Sequence, residues 1–121
     1  MLTHQLRPND GILIVSPTAP LEAKDFQELA SEIDPFIDQQ GVLNGLMIEA
    51  ESFVGWHDFG ALLSHLRFVR DHHAKIKKVA AVTDNAFLAI LPRVVAHFVN
   101  AEVRHFSTTE TAAALEWLKA P

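Results

Sequence analysis

Residues 43–48, LNGLMI, and residues 79–82, VAAV, are short apolar runs in which Asn44 is the one strongly polar residue. Runs of this length without polar alternation are typical of strands that are buried on both faces of a parallel sheet. A segment with helical spacing, residues 58–73, lies between them. Strands that alternate with helices pair in parallel through crossover connections, so these runs predict an α/β fold.

Before the first run, the sequence predicts an antiparallel pair of strands, Thr3–Arg7 and Ile12–Ser16. The dipeptide Asp10-Gly11 lies between them, and glycine after aspartate is a hairpin signal because glycine tolerates a positive φ. After the second run, alternating polar and apolar residues over Glu102–Phe106 predict a short strand near the sheet edge.

Apolar residues at helical spacing predict four helices. They cover Leu21–Gln40, Asp58–His73, a segment capped by Asp84 and a segment that starts with the capping box Ser107–Glu110. Gly41 is expected to end the first helix, and Pro35 predicts a kink or a break near Ile33-Asp34. Pro92 is expected to bend the third. The apolar stripe predicted for the second helix is Phe59, Leu62, Leu63, Leu66 and Val69, and the last helix is expected to turn Ala114, Leu115 and Leu118 inward.

The length of 121 residues fits one domain over residues 1–121, with a mixed, mostly parallel five-stranded sheet and about four flanking helices. The absence of cysteine excludes disulfides, thiolate zinc sites and cysteine nucleophiles. The net charge of −5 argues against a general nucleic-acid binder. The longest hydrophobic run has six residues, whereas a membrane span needs about 20, and no secretory signal is recognisable, so we expect a cytoplasmic location.

Sequence patterns for catalysis, cofactors and metals are missing. There is no His-Glu-x-x-His, no Gly-x-Ser-x-Gly and no glycine-rich phosphate loop, so we expect no enzyme activity, no cofactor and no metal site. His72 and His73 are expected to lie at a solvated helix end, where they suit the helix dipole. Glu49 and Glu51 are either an acid/base pair or a solvated strand end, and the second is the more common arrangement.

Charge is distributed unevenly along the chain. Residues 1–64 hold ten acids and two bases, and residues 65–121 hold five acids and eight bases, so the halves carry −8 and +3. A basic stretch comprises Arg67, Arg70, Lys75, Lys77 and Lys78. It either contacts an acidic partner, such as a phosphate headgroup or the acidic half of a second copy in a homodimer, or is an ordinary solvated helix end.

The loop after the third strand is rich in aromatic residues. It contains Phe53, Trp56 and Phe59, together with Gly55 and His57. Ligands of open α/β sheets bind at the carboxyl ends of the strands, where this loop begins. It is therefore either the lip of a ligand pocket, with Trp56 as a wall and His57 or Ser52 as a polar contact, or a plug that fills the top of the core.

Four segments together resemble the SpoIIAA-like branch of the STAS domains, the sulfate transporter and anti-sigma factor antagonist family. They are Phe53-Val54-Gly55-Trp56, residues 79–84, residues 101–106 and residues 114–118. The resemblance implies a small mixed sheet flanked by helices and a non-enzymatic role in bacteria. It also implies a phosphoacceptor serine after the third strand, for which Ser52 is the nearest match, although Phe53 follows it where the family has glycine.

The same branch is similar in fold to lipid-carrying CRAL-TRIO domains, which implies that an apolar ligand is also feasible. Bends at Pro35 and Pro92 would open a cavity lined by Phe87, Leu91 and Phe98. The leading interpretation is a binding or regulatory module that holds a regulatory protein or a small apolar or anionic ligand at residues 52–58. The alternative is a regulator that is switched by phosphorylation at Ser52.

Overall fold

The structure, a computed structural model, describes residues 1–50, 59–83 and 101–120. Its elements are β1 (Leu2–Arg7), β2 (Ile12–Pro17), α1 (Ala23–Gln40), β3 (Leu43–Glu49), α2 (Phe59–His72), a short 3-10 helix (His73–Lys75), β4 (Ile76–Val82), β5 (Glu102–Phe106) and α3 (Thr111–Lys119). Over the ranges described, no helix combines the length and the apolar character that crossing a membrane requires.

The five strands form one mixed sheet in the order β1-β2-β3-β4-β5. β1 pairs antiparallel with β2, and the other three pairs are parallel, as the sequence predicts. The predicted edge position of Glu102–Phe106 is also confirmed within the described residues. The described residues hold three α-helices against about four predicted; the predicted helix that begins at Asp84 and contains Pro92 falls in residues 84–100, outside them.

The hairpin between β1 and β2 is fastened to β3. Gly11 has φ +68°, which confirms the predicted turn. The Asn44 side chain, on β3, donates a hydrogen bond to the Asp10 carbonyl at 3.1 Å, and the Gly45 amide donates to the Gly11 carbonyl at 3.1 Å. Asn44, the polar interruption of the apolar run, therefore holds the hairpin against the central strand.

Helix α1 ends at Gln40, as the sequence predicts, begins two residues later than predicted, at Ala23, and does not break at Pro35. The Glu22 amide donates to the Asp25 carboxylate at 2.8 Å, and Gly41 ends the helix with φ +83°. The predicted break near Ile33-Asp34 is wrong, because the helix is continuous over Ala23–Gln40. Ile33 and Ile37, on either side of Pro35, are almost fully buried, so apolar burial offsets the hydrogen bond that proline removes.

The first face of the sheet is covered by α1 and α2. Its core combines residues of β2, β3 and β4 with the inner side of α1: Leu13, Val15, Leu29, Ile33, Ile37, Leu43, Leu46, Ile76 and Val79. The two helices are joined by ring contacts of Phe26 on α1, which stacks on His65 at 4.8 Å and meets Phe68 at 6.1 Å between centroids.

His72 fastens α2 to α1. Its side chain lies within 2.5 Å of the Asp34 carboxylate on α1 and within 2.7 Å of the Phe68 carbonyl. The residue is 7% exposed, so the expectation that it lies at a solvated helix end is wrong. Burial of a polar ring requires partners for its nitrogens, and Asp34 and Phe68 supply them.

The apolar stripe predicted for α2 is confirmed at Val69 and wrong at Leu66. Val69 is buried, whereas Leu66 was expected to face inward and is 43% exposed. The rings of His65, Phe68 and His72 occupy the side of α2 that meets α1. Because two of these rings are histidines, a count of apolar residues alone leaves them out of the predicted stripe.

The second face of the sheet is covered by the nine-residue helix α3. The core here consists of Ile12, Met47, Ala80, Val82, Phe106, Ala114 and Leu118, which confirms the inward positions Ala114 and Leu118; Leu115 is partly buried against them. A Cβ atom at Gly45 would lie 2.9 Å from Cδ2 and 3.0 Å from Cβ of Leu118. Glycine at this position therefore lets α3 approach the central strand closely.

Lys78 holds the end of α3. Its ammonium donates to the carbonyls of Trp117 and Ala120 at 2.9 and 2.8 Å, and it lies 5.1 Å from the centre of the Trp117 ring. Carbonyls at a helix C-terminus lack partners within the helix, and a cation there also suits the helix dipole. One residue of the predicted basic stretch is thus structural.

We predict that Gly45→Ala lowers the free energy of unfolding by about 1–3 kcal/mol, because the added methyl group overlaps Leu118. Urea denaturation measures the change. In a Leu118→Ala background the contacts with Cγ and Cδ2 are removed and only the one with Cβ remains, so the same substitution should cost less. An equal cost in both backgrounds would show that the close contact is not the cause.

We predict that His72→Ala lowers the free energy of unfolding by about 2–3 kcal/mol, since it removes a buried ring and leaves its partners without a bond. Arg67→Ala, at an exposed position of the same helix, is the matched control and should change it by less than about 0.5 kcal/mol. Thermal and urea denaturation of both variants check this. Similar losses of stability in the two variants would contradict a stabilising contact between His72 and Asp34.

Candidate functional site

A cleft of about 300 Å³ opens at the carboxyl edge of the sheet, where β2, β3 and β4 end beside the start of α3. We call it the carboxyl-edge cleft. It is lined by Ser16, Pro17, Thr18, Glu49, Ala50, Val82, Thr108 and Thr111. Ligands of parallel α/β sheets bind at this edge because the strand ends and the following loops converge there.

The strand ends that form the cleft are held together by backbone hydrogen bonds. The Ala50 amide donates to the Val82 carbonyl, and the Thr83 amide donates to the Phe106 carbonyl, both at 3.0 Å. On the β2 side, the Thr3 hydroxyl donates to the Ser16 carbonyl at 3.1 Å. These bonds continue the sheet to its last residues, so the floor of the cleft is rigid backbone.

The turn before α3 forms the wall opposite the strand ends. The Ser107 amide donates to the Glu110 carboxylate at 2.9 Å, and the hydroxyls of Ser107 and Thr109 lie 3.0 Å apart. The hydrogen bond from the Ser107 backbone and a further one from its side chain hold the pKa of Glu110 below 4.5. The sequence-predicted pairing of Ser107 with Glu110 is thus present, although α3 itself begins at Thr111.

The described lining residues include four that carry hydroxyl groups and one that is ionisable. Ser16, Thr18, Thr108 and Thr111 carry the hydroxyls, and Glu49 carries the carboxylate. Pro17, Ala50 and Val82 add an apolar strip between them. Such a surface can accept hydrogen bonds and can hold a positive charge at Glu49.

The residues that the sequence singled out as a site lie outside the described residues. They are Ser52, Phe53, Trp56 and His57, in residues 51–58, and Phe87, Leu91 and Phe98, in residues 84–100. Glu49 lines the cleft, and its predicted partner Glu51 lies in the undescribed segment. The chain enters that segment directly from Ala50, at the rim of the cleft.

The described histidine side chains contact protein groups. His4 contacts Glu32, His65 stacks on Phe26, His72 contacts Asp34, and His105 contacts the Thr83 carbonyl. Among residues 1–50, 59–83 and 101–120, no three metal-ligating side chains come together. Of the basic stretch, Arg67, Arg70, Lys75 and Lys77 are exposed.

Sequence reasoning missed most of the cleft. It applied the carboxyl-edge rule to the loop after β3 alone, and so passed over Ser16, Thr18, Thr108 and Thr111. The available signal was the pair of hydroxyl-rich segments at the carboxyl ends of two other strands, residues 16–18 at the end of β2 and residues 107–111 after β5. Because parallel strands end at one edge, these segments had to meet there.

Comparison with known proteins identifies a family whose model matches this chain and a solved structure with a similar fold. A family model described as SpoIIAA-like matches residues 12–119. A crystal structure of an uncharacterised protein with a SpoIIAA-like fold from Shewanella loihica aligns with a TM-score of 0.69 and 19% identity, covering 98% of this chain and 92% of that chain. At that identity the likeness shows the fold alone. A comparison with curated proteins finds no match.

We predict a pH-dependent effect of Glu110→Gln. The folded state lowers the pKa of Glu110 below 4.5, so its ionised form stabilises the protein above that pH, and the stabilisation is lost as the pH falls through the lowered pKa. The variant should therefore be less stable than the wild type near pH 7, and the difference should vanish once the pH is below the lowered pKa of Glu110. Urea denaturation across this range measures it. A difference that does not depend on pH would contradict a role for the charge.

Proposed function

Because the chain belongs to the SpoIIAA-like family of STAS domains, we propose that it is a non-catalytic binding or regulatory module whose ligand lies in the carboxyl-edge cleft. The observation that supports this proposal is the convergence of three strand ends and the start of α3 around one cleft of about 300 Å³. Small-molecule sites have volumes from about 300 to 1,000 Å³, so the cleft holds a small group or a side chain.

The chemistry of the lining favours binding over catalysis. A nucleophilic hydroxyl needs a neighbouring base that is held by a third group. Among the described lining residues, Glu49 is the only side chain that can accept a proton, and no histidine, lysine or cysteine stands beside Ser16, Thr18, Thr108 or Thr111. The cleft thus offers hydrogen bonds and one charge.

A second candidate function is a switch operated by phosphorylation of Ser52. Ala50 lines the cleft and Ser52 follows it by two residues in the chain. A phosphate at that position would add a charge of about −2 near Glu49, and like charges repel. Phosphorylation would therefore strengthen the binding of a cation in the cleft and weaken that of an anion.

Intact-mass analysis of the protein isolated from its own organism tests the switch. We expect a mass increase of one phosphate group, about 80 Da, in the wild type and none in Ser52→Ala. Equal phosphorylation of both proteins would exclude Ser52.

Native mass spectrometry of the same samples tests the apolar ligand implied for Phe87, Leu91 and Phe98, because a retained lipid adds its own mass.

We predict that Thr111→Phe abolishes binding in the cleft. Thr111 is half-buried in the first turn of α3 and lines the cleft, so a phenyl ring there occupies its volume. Fragment screening by two-dimensional 1H–15N NMR supplies the readout: hits should shift the amide signals of Thr18, Ala50 and Thr108 in the wild type and not in the variant. Ala112→Phe, at the exposed neighbouring position, is the matched control and should retain them.

The proposed site is wrong if the hits of the fragment screen shift amide signals elsewhere in the protein. It is also wrong if Thr111→Phe, shown to be folded by its dispersed NMR spectrum, binds the hits as well as Ala112→Phe does.

A further inference from the structure

We propose that the carboxyl-edge cleft recognises a cationic hydrogen-bond donor, a primary ammonium or a guanidinium group, with Glu49 as its counter-ion. The inference rests on the proposed function and adds the chemical class of the ligand. It differs from the sequence-based expectation of an apolar or anionic ligand. Charge, hydrogen-bond capacity and size each support it.

The charge of the lining favours a cation. Among the eight described lining residues, Glu49 is the one carboxylate, and none is lysine, arginine or histidine. An anion would meet the Glu49 carboxylate without a basic side chain of the lining to offset it. A cation gains an ion pair at the same place.

The start of α3 does not reverse this preference. A helix N-terminus attracts anions through its partial positive charge, and Thr111 opens α3 at the cleft. That end of the helix already has a carboxylate of its own, Glu110, whose side chain accepts a hydrogen bond from the Ser107 amide at 2.9 Å. The negative charge of Glu110 offsets the partial positive charge of the helix N-terminus, so the attraction of this helix end for an anion is reduced.

The hydroxyls supply the remaining acceptors. An ammonium group has three donors and a guanidinium group has five, and neither has an acceptor. Glu49 can accept one or two of these hydrogen bonds, and the hydroxyls of Ser16, Thr18, Thr108 and Thr111 can accept others. Pro17, Ala50 and Val82 provide an apolar strip against which a short alkyl stem can pack.

The size of the cleft restricts the ligand to a short chain. A volume of about 300 Å³ lies at the low end of ligand pockets, so it fits an alkyl amine or one extended side chain. Two sources share this chemistry: a free small amine, and a lysine or arginine side chain of a partner protein.

Three probes with the same carbon chain test the charge preference: butylammonium, butanol and butyrate, titrated into the protein at low salt and followed by 1H–15N NMR. We expect butylammonium to shift the amide signals of Thr18, Ala50 and Thr108 at the lowest concentration and butyrate to leave them unchanged. Glu49→Gln keeps the shape of the side chain and should weaken butylammonium binding about two- to five-fold. Glu28→Gln, on the exposed side of α1, removes the same charge far from the cleft and should not change it.

The proposal is overturned if butyrate binds as well as butylammonium, or if Glu49→Gln and Glu28→Gln behave alike. If butanol or other neutral or anionic fragments bind in the cleft instead, the inference fails and the proposed function stands. If no compound shifts the signals of the cleft, both fail.

Once the preference for a cation is established, the peptide Gly-Lys-Gly identifies the source of the cationic group. Tighter binding than that of butylammonium indicates a protein segment, and equal or weaker binding indicates a free amine.

Discussion

The second face of the sheet depends on the contact between Leu118 of α3 and Gly45 of β3. Leu118 is 1% exposed and fills the space that any side chain at position 45 would need. Lys78 secures the same helix by bonding the carbonyls of Trp117 and Ala120. The missing Cβ of Gly45 lets α3 lie close to the central strand, where Leu118 packs with Met47, Ala80 and Val82.

This packing also accounts for the position of the cleft. The first face is covered by α1 and α2, whereas in the described residues the second face has the nine-residue α3. Helix α3 begins with Thr111 at the carboxyl edge of the sheet, opposite the ends of β2 and β3. The space between the helix start and those strand ends is the cleft, so the contact that closes the core also defines the wall of the proposed site.

The parts of the fold that follow from local chemistry could be predicted from the sequence. Gly11, Gly41 and the apolar run at residues 43–48 each act through backbone conformation or burial of their own segment. The failures involve partners that are distant in the chain. His72 is buried because Asp34, 38 residues away, pairs with it, and α1 continues through Pro35 because Ile33 and Ile37 pack on the sheet. The cleft was missed because its hydroxyls come from segments that meet only in the folded protein.

The most direct test of this account is a 13C-edited NOESY spectrum of the folded protein. The account predicts cross-peaks between the δ-methyl protons of Leu118 and the Hα protons of Gly45, since these groups are in contact across the second face. Leu118 cross-peaks that lead to first-face residues such as Leu46 and Val79, with none to Gly45, would contradict it.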